Sequence, residues 1–163
     1  MPKYKTGEVG QAITYTVVET SVPEGYTVSY NGTTVTNIHT PMVATLSVNK
    51  VWNDGNNQDG KRPASVEVTL YANGHPLMKG ANGPDFAAAT GIPYTLILSN
   101  NNNWTGSWMD MPRYHNGQRV SYTVVETGHD GQPGLPAGYT VTYQYAGTDT
   151  SLPNLRLRLL PPC

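Results

Sequence analysis

Apolar and polar residues alternate with a period of two along most of the chain. In Ala12–Glu19, Ile13, Tyr15 and Val17 share one parity against Thr14, Thr16 and Val18. Leu46, Val48, Lys50 and Trp52 share a parity against Ser47, Asn49, Val51 and Asn53. Val66–Tyr71 and Tyr94–Leu98 are further runs of this kind. A strand sends successive side chains to opposite faces, so each run predicts a half-buried strand. The pairs Asn31-Gly32, Asp54-Gly55, Asp59-Gly60, Asn73-Gly74 and Asn116-Gly117 punctuate them as turns. No window has a helical apolar period, and Ala87–Ala89 is the one place where a helical turn is expected. Short strands divided by turns predict an all-β sandwich.

Composition supports this. The 163 residues include 17 Gly, 13 Pro and 11 Tyr but one Phe, and only 13% are charged, whereas helical proteins carry many Lys and Glu on their solvent faces. A formal net charge of −1 argues against nucleic acid or an anionic membrane as the main partner, since both need a concentrated basic face. No stretch approaches the roughly 20 apolar residues of a membrane span. Met1–Gly10 lacks the apolar run of a secretion signal. Cys163 is the one cysteine, which excludes an intrachain disulfide framework.

The sequence repeats itself. Met1-Pro2-Lys3-Tyr4 is echoed by Met111-Pro112-Arg113-Tyr114, Tyr15–Thr20 recurs as Tyr122–Thr127, and Gly25-Tyr26-Thr27-Val28 recurs as Gly138-Tyr139-Thr140-Val141. The offsets of 110, 107 and 113 differ as loop lengths do, and give a domain-sized period. Residues 1–41 read as the C-terminal portion of one unit, 42–147 as a repeat with an atypical closing strand, and 148–163 as a divergent, poorly ordered tail. Met1 aligns with an internal methionine, so the chain reads as a fragment of a longer protein, which would account for the missing export signal.

The polar residues of interest lie on apolar parities. Lys50 shares its face with Val48 and Trp52. Glu126 goes with Val120, Tyr122 and Val124; Glu19 with Ile13, Tyr15 and Val17; Asn37 with Val35. Two readings follow for Lys50 and Glu126. Each can reach solvent from a strand end, or the two are buried together, since an unpaired interior ion costs several kcal/mol or changes protonation. In the second case the lysine is a neutral nucleophile and the glutamate a protonated acid. An asparagine beside them would then be attacked at its carboxamide carbon, ammonia would leave, and an isopeptide bond would join two strands. Proximity in the folded core supplies the rate.

Three groups of motifs carry a resemblance. Val48–Asp54, Asn57–Pro63 and Val66–Gly74 resemble the opening of a Cna B-type domain. Asn103-Trp104, Met111–Tyr114 and Tyr122–Glu126 resemble its middle, and Gly25–Val28 with Asn31–Pro41 its close. The likeness runs from residue 1 to about 145. It implies a prealbumin-like, inverse immunoglobulin-like β-sandwich, present here as one and a fraction tandem repeats, from the stalks of Gram-positive surface adhesins and pilins. It implies Lys50 as the cross-linking amine and Glu126 as the catalytic acid, with Glu19 as acid and Asn37 as acceptor in the preceding unit. The chain departs from the pattern at its close. Aligning Gly32 with Gly147 puts Leu152 where Asn37 should recur, and Leu152-Pro153-Asn154 begins like a sortase sorting signal but has Leu155 in place of Thr. An incomplete closing strand would leave an edge beside Lys50 open to the Asn37 strand of a second chain. Such exchange is favoured over closure in cis because parallel neighbours need a crossover of a dozen or more residues.

Other chemistry is weak. Asp54–Ser65 resembles a calcium loop but has Asp59 at the glycine position and Ser65 at the bidentate-glutamate position, so a polar turn is expected. His39, His75, His115 and His129 lack metal spacing. No metal, cofactor or turnover chemistry is expected, since the cross-link forms once per molecule. The leading expectation is an extracellular, cell-wall-associated stalk module. Its partners would be neighbouring repeats, with any extracellular-matrix ligand held by another domain. The alternative is a module that binds a host protein or glycan itself, without its own cross-link. Trp52, Trp104 and Trp108 could form a ligand surface, but core or edge packing is the commoner fate of such residues and is the one expected.

Overall fold

The computed structural model describes Gly7, residues 12–146 and, for backbone, the strand Asn154–Leu160. The chain divides into two compact units, Met1–Pro41 and Met42–Cys163.

In the first unit, strands β1 (Tyr26–Asn31) and β2 (Thr34–His39) form an antiparallel hairpin with Val28 opposite Asn37. The turn is Gly32-Thr33, one residue later than the Asn31-Gly32 expected, with Gly32 at φ +61°. The strand expected over Ala12–Glu19 does not form: residues 13–19 carry no regular structure. Alternation alone does not make a strand. The corresponding Tyr122–His129 is zipped onto a neighbour, and among the described residues of the first unit nothing plays that part.

The second unit contributes β3 (Val43–Trp52), β4 (Ser65–Ala72), β5 (His75–Pro76), β6 (Met78–Gly80) and β7 (Gly83–Asp85). It continues with β8 (Thr95–Ser99), a 3-10 turn at Asn100–Asn102, β9 (Thr105–Pro112), β10 (Tyr114–His115) and β11 (Gln118–Arg119). It ends with β12 (Tyr122–His129), β13 (Gln132–Pro133), β14 (Thr140–Ala146) and β15 (Asn154–Leu160). One sheet runs β13-β12-β4, with β5 and β8 both on β4; the other runs β14-β15-β3-β9. Their inner faces supply the core: Leu46 and Val48 from β3, Val66, Val68 and Leu70 from β4, Leu98, Trp108, Met111, Val120, Tyr122 and Val124. Each fully buried Leu or Val contributes about 1.5–3 kcal/mol by leaving water. The all-β sandwich is therefore as expected.

Turn chemistry sets the registers. Asn73-Gly74 and Asn116-Gly117 each close a two-residue hairpin with positive φ at both positions, the geometry that matches strand twist. Asp130-Gly131 does the same between β12 and β13 and was not anticipated. Ala87–Ala89 is not a helical turn. The Asp85 carboxylate accepts the N–H groups of Ala87 and Ala88 at 2.9 and 3.0 Å, which bends the chain there without starting a helix.

The largest correction concerns the closing segment. Part of the tail expected to be poorly ordered is β15, antiparallel to β14 and parallel to β3. Leu155, Leu157 and Leu159 alternate with Arg156 and Arg158, a strand pattern overshadowed by the absence of the repeat's own motif. The edge expected to be open beside Lys50 is thus filled by the chain itself, which removes the vacancy that motivated exchange between chains. Leu152 lies outside the described residues.

Candidate functional site

Strand β3 carries Lys50 into the core because Leu46 and Val48, on the same parity, are buried at 2% exposure. Its backbone N–H is fixed by the carbonyl of Trp104 at 2.8 Å. Strand β12 in the opposite sheet does the same for Glu126 through Tyr122 and Val124. Lys50 is 3% exposed and Glu126 4%, and Lys50 Nζ donates to Glu126 Oε2 across the two sheets. Of the two readings of parity, the buried pair is the one found. Burial dominates the electrostatics. It draws the Lys50 amine down from 10.5 to about 8, with Glu126 opposing the shift, and pushes the Glu126 carboxyl up against the pull of Lys50. Moving the shared proton from nitrogen to oxygen leaves a neutral amine beside a neutral acid, the form a dry interior favours. Glu126 Oε1 has no hydrogen-bond partner among the described residues.

Glu126 is also held from behind. Its N–H donates to the Tyr143 hydroxyl at 3.2 Å. In the first unit the N–H of Glu19 donates to the Tyr30 hydroxyl at the same 3.2 Å, and Tyr30 and Tyr143 correspond under the 113-residue offset. There the glutamate has a carboxamide neighbour: Asn37 Nδ2 donates to Glu19 Oε1 at 3.1 Å. Glu19 is half-buried and Asn37 exposed. Parity places neither: residues 13–19 form no strand, Tyr15 and Val17 are exposed, and Asn37 does not share the burial of Val35. The tyrosines escaped the sequence reading. Their equal spacing from the repeated Gly-Tyr-Thr-Val motif was the clue.

Strand β15 carries no carboxamide beside Lys50 or at the place of Asn37. Its backbone register sets Leu157 beside Lys50 and Leu159 beside Trp52. In the hairpin, Leu159 opposes Val141, the counterpart of Val28, and so occupies the place of Asn37. The strand's own carboxamide residue, Asn154, differs from Leu157 and Leu159 in parity.

The end of β3 is closed by aromatic and polar contacts. Lys50 Nζ lies 4.6 Å from the centre of the Trp52 ring. Trp104 and Tyr139 meet that ring edge-on at 5.0 and 5.3 Å. The tryptophans are thus not one shared ligand surface: Trp52 and Trp104 pack together and Trp108 is buried. The loop after β3, considered for calcium, forms an ion pair. Arg62 donates to both carboxylate oxygens of Asp54, at 2.9 and 2.5 Å, and holds that carboxyl well below the usual range. Among the described residues, no cluster of His, Cys, Asp or Glu is arranged to hold a metal.

The model of the Cna protein B-type domain matches residues 1–38 and 46–151. The chain belongs to the Cna protein B-type domain family. A collagen adhesin of Staphylococcus aureus is 43% identical to it over 126 residues, which is 77% of this chain and 9% of that adhesin's length. The crystal structure of a single B repeat unit of the S. aureus collagen-binding surface protein is similar to it with a TM-score of 0.53 and 35% identity, over 98% of this chain and 70% of that one. A structure of two such units gives 0.54 and 34%, over 99% and 36%. This B-type chain therefore spans less than a tenth of the adhesin it resembles, and its relatives are bacterial surface proteins. Among the described residues no helix is long and apolar enough to cross a membrane.

Proposed function

We propose that this chain is a structural stalk module of a Gram-positive cell-surface adhesin, exposed outside the cell with neighbouring repeats as its partners, and built for stabilisation by a Lys–Asn isopeptide bond. The observation that carries the reading is the buried Lys50–Glu126 pair bridging the two sheets. A buried ion pair is a poor stabiliser compared with apolar residues of the same volume. Here the pair has the composition of an amine and its acid catalyst.

Lys50 Nζ, neutral, attacks the Cγ of an asparagine carboxamide. Glu126, protonated, donates to the carbonyl oxygen as the tetrahedral centre forms and relays the amine's proton to the leaving nitrogen. The new bond is Nζ–Cγ, the broken one is Cγ–Nδ2, and one ammonia leaves. Glu19 with Asn37 is the acid and acceptor half of the same arrangement. In the second unit Leu159 stands in the acceptor position, so among the described residues the pair there is poised without its carboxamide.

The test is intact mass under denaturing conditions. The native chain is expected to keep the mass of its sequence, and Leu159→Asn to be lighter by one ammonia. Adding Lys50→Ala or Glu126→Gln should restore the lost mass. A Leu159→Asn chain that folds and keeps its full mass refutes the cross-link chemistry.

A further inference from the structure

We infer that Trp52 is a positioning residue for Lys50, clamped over the amine by a polar knot of Asp54, Arg62 and Tyr139 that seals this end of the sandwich against water. The inference rests on the cross-link reading only for its purpose, since the seal is a matter of packing.

Three separate segments meet at the knot. Asp54 follows β3 by two residues, Arg62 comes from the loop before β4, and Tyr139 immediately precedes β14. The Tyr139 hydroxyl donates to Asp54 Oδ2 at 3.0 Å, the same oxygen that takes Arg62 Nε. Arg62 Cζ sits 5.4 Å from the centre of the Trp52 ring, and the Tyr139 ring abuts that indole edge-on. The loop backbone is spent on this arrangement. Gly55, Asn56 and Asn57 are all left-handed, at φ 58°, 60° and 62°, a conformation that is unfavourable for each asparagine. It is held because Asp54 Oδ1 accepts the Asn57 N–H at 3.0 Å and Asn57 Oδ1 accepts the Arg62 N–H at 2.9 Å.

The indole Nε1 of Trp52 is buried with no hydrogen-bond partner among the described residues. Its position is therefore set by its faces and edges, that is by Lys50, Arg62, Trp104 and Tyr139. A ring without the guanidinium and the tyrosine against it has no polar anchor of its own. Water then reaches the lysine, and the desolvation that keeps the amine nucleophilic is lost. Glu126 still faces Lys50 from the other sheet in every variant, so the change isolates solvent access.

The experiment is a side-chain NMR titration of Lys50 in lysine-labelled protein, comparing the native chain with Asp54→Asn/Arg62→Gln. Removing both charges together leaves the net charge near Lys50 unchanged. The native amine is expected to titrate near 8. The double variant should titrate higher by about one unit or more, towards an ordinary lysine. A folded double variant with an unmoved Lys50 midpoint overturns the proposal. Tyr139→Phe, which removes one bond of the knot, decides the matter if the double variant does not fold. It should give a smaller shift of the same sign, and no shift again overturns. If the native amine proves already consumed, the same comparisons are made in a Glu126→Gln background. A failed Leu159→Asn cross-link with an intact titration effect sinks the cross-link reading and leaves the seal standing.

Discussion

Leu159 lies beside Trp52 in the parallel pairing of β15 with β3, two residues past the position beside Lys50. The lysine side chain leans the same way, since its Nζ is over the Trp52 ring. On the proposed chemistry, Leu159 rather than Leu157 is thus the position for an acceptor. We expect Leu159→Asn to cross-link to completion under conditions where Leu157→Asn reacts more slowly by at least tenfold, a difference of about 1.4 kcal/mol in barrier. Time-resolved intact mass after refolding checks this.

Removing one member of the buried pair should be worse than removing both. Lys50→Ala leaves an unpartnered carboxyl and a cavity, and should cost about 3–5 kcal/mol in urea unfolding. Lys50→Met with Glu126→Leu should be close to neutral or stabilising. A single variant as stable as the native chain would show that the pair is not buried in solution.

The pair also sets how stability changes with pH. Lys50 titrates near 8 when folded and near 10.5 when unfolded, so between those values the unfolded chain holds a proton that the folded chain has released. Stability therefore rises across that window. Glu126 is raised, so from 4.5 upward the folded chain keeps a proton that the unfolded chain loses, and stability falls as pH climbs towards its folded value. Asp54 acts oppositely in acid: its lowered value gives stability that disappears as pH drops below 3.8. Urea midpoints measured at pH 8 and pH 10 should differ in the native chain, and the difference should shrink in Lys50→Met.

Gly128 sits at the bulge where β12 shifts register on β4. A β-carbon there would come within 2.8 Å of the Gln132 carbonyl oxygen, which is backbone and cannot swing away. Gly128→Ala should cost about 1–3 kcal/mol by overpacking, read as a fall in the urea midpoint with an unchanged slope.

The sheets and the buried pair were legible because alternation is strict where one face is packed, as in Leu46-Ser47-Val48-Asn49-Lys50. The same alternation misled at Ala12–Glu19, because a pattern records which face would be buried and not whether a neighbour is present to pair with. Strand β15 was missed for the converse reason. Its Leu-Arg alternation is plain, but it lacks the motif that marked the first unit's close, and motif outweighed pattern. The knot of Asp54, Arg62 and Tyr139 could not be read locally, since Tyr139 lies 85 residues from Asp54 and only the fold joins them.

Strands β3 and β15 run side by side in the same direction. Tension applied to the unit through the chain on either side of these strands drags β3 back towards Val43 and β15 forward towards Leu160. The two slide past one another along their common axis, and their ladder of hydrogen bonds is loaded all at once instead of peeling open from one end. A tensile load meets its stiffest resistance in that arrangement. The Lys50–Glu126 pair, anchored on one of the two sliding strands, lies where a covalent rivet would stop the slip.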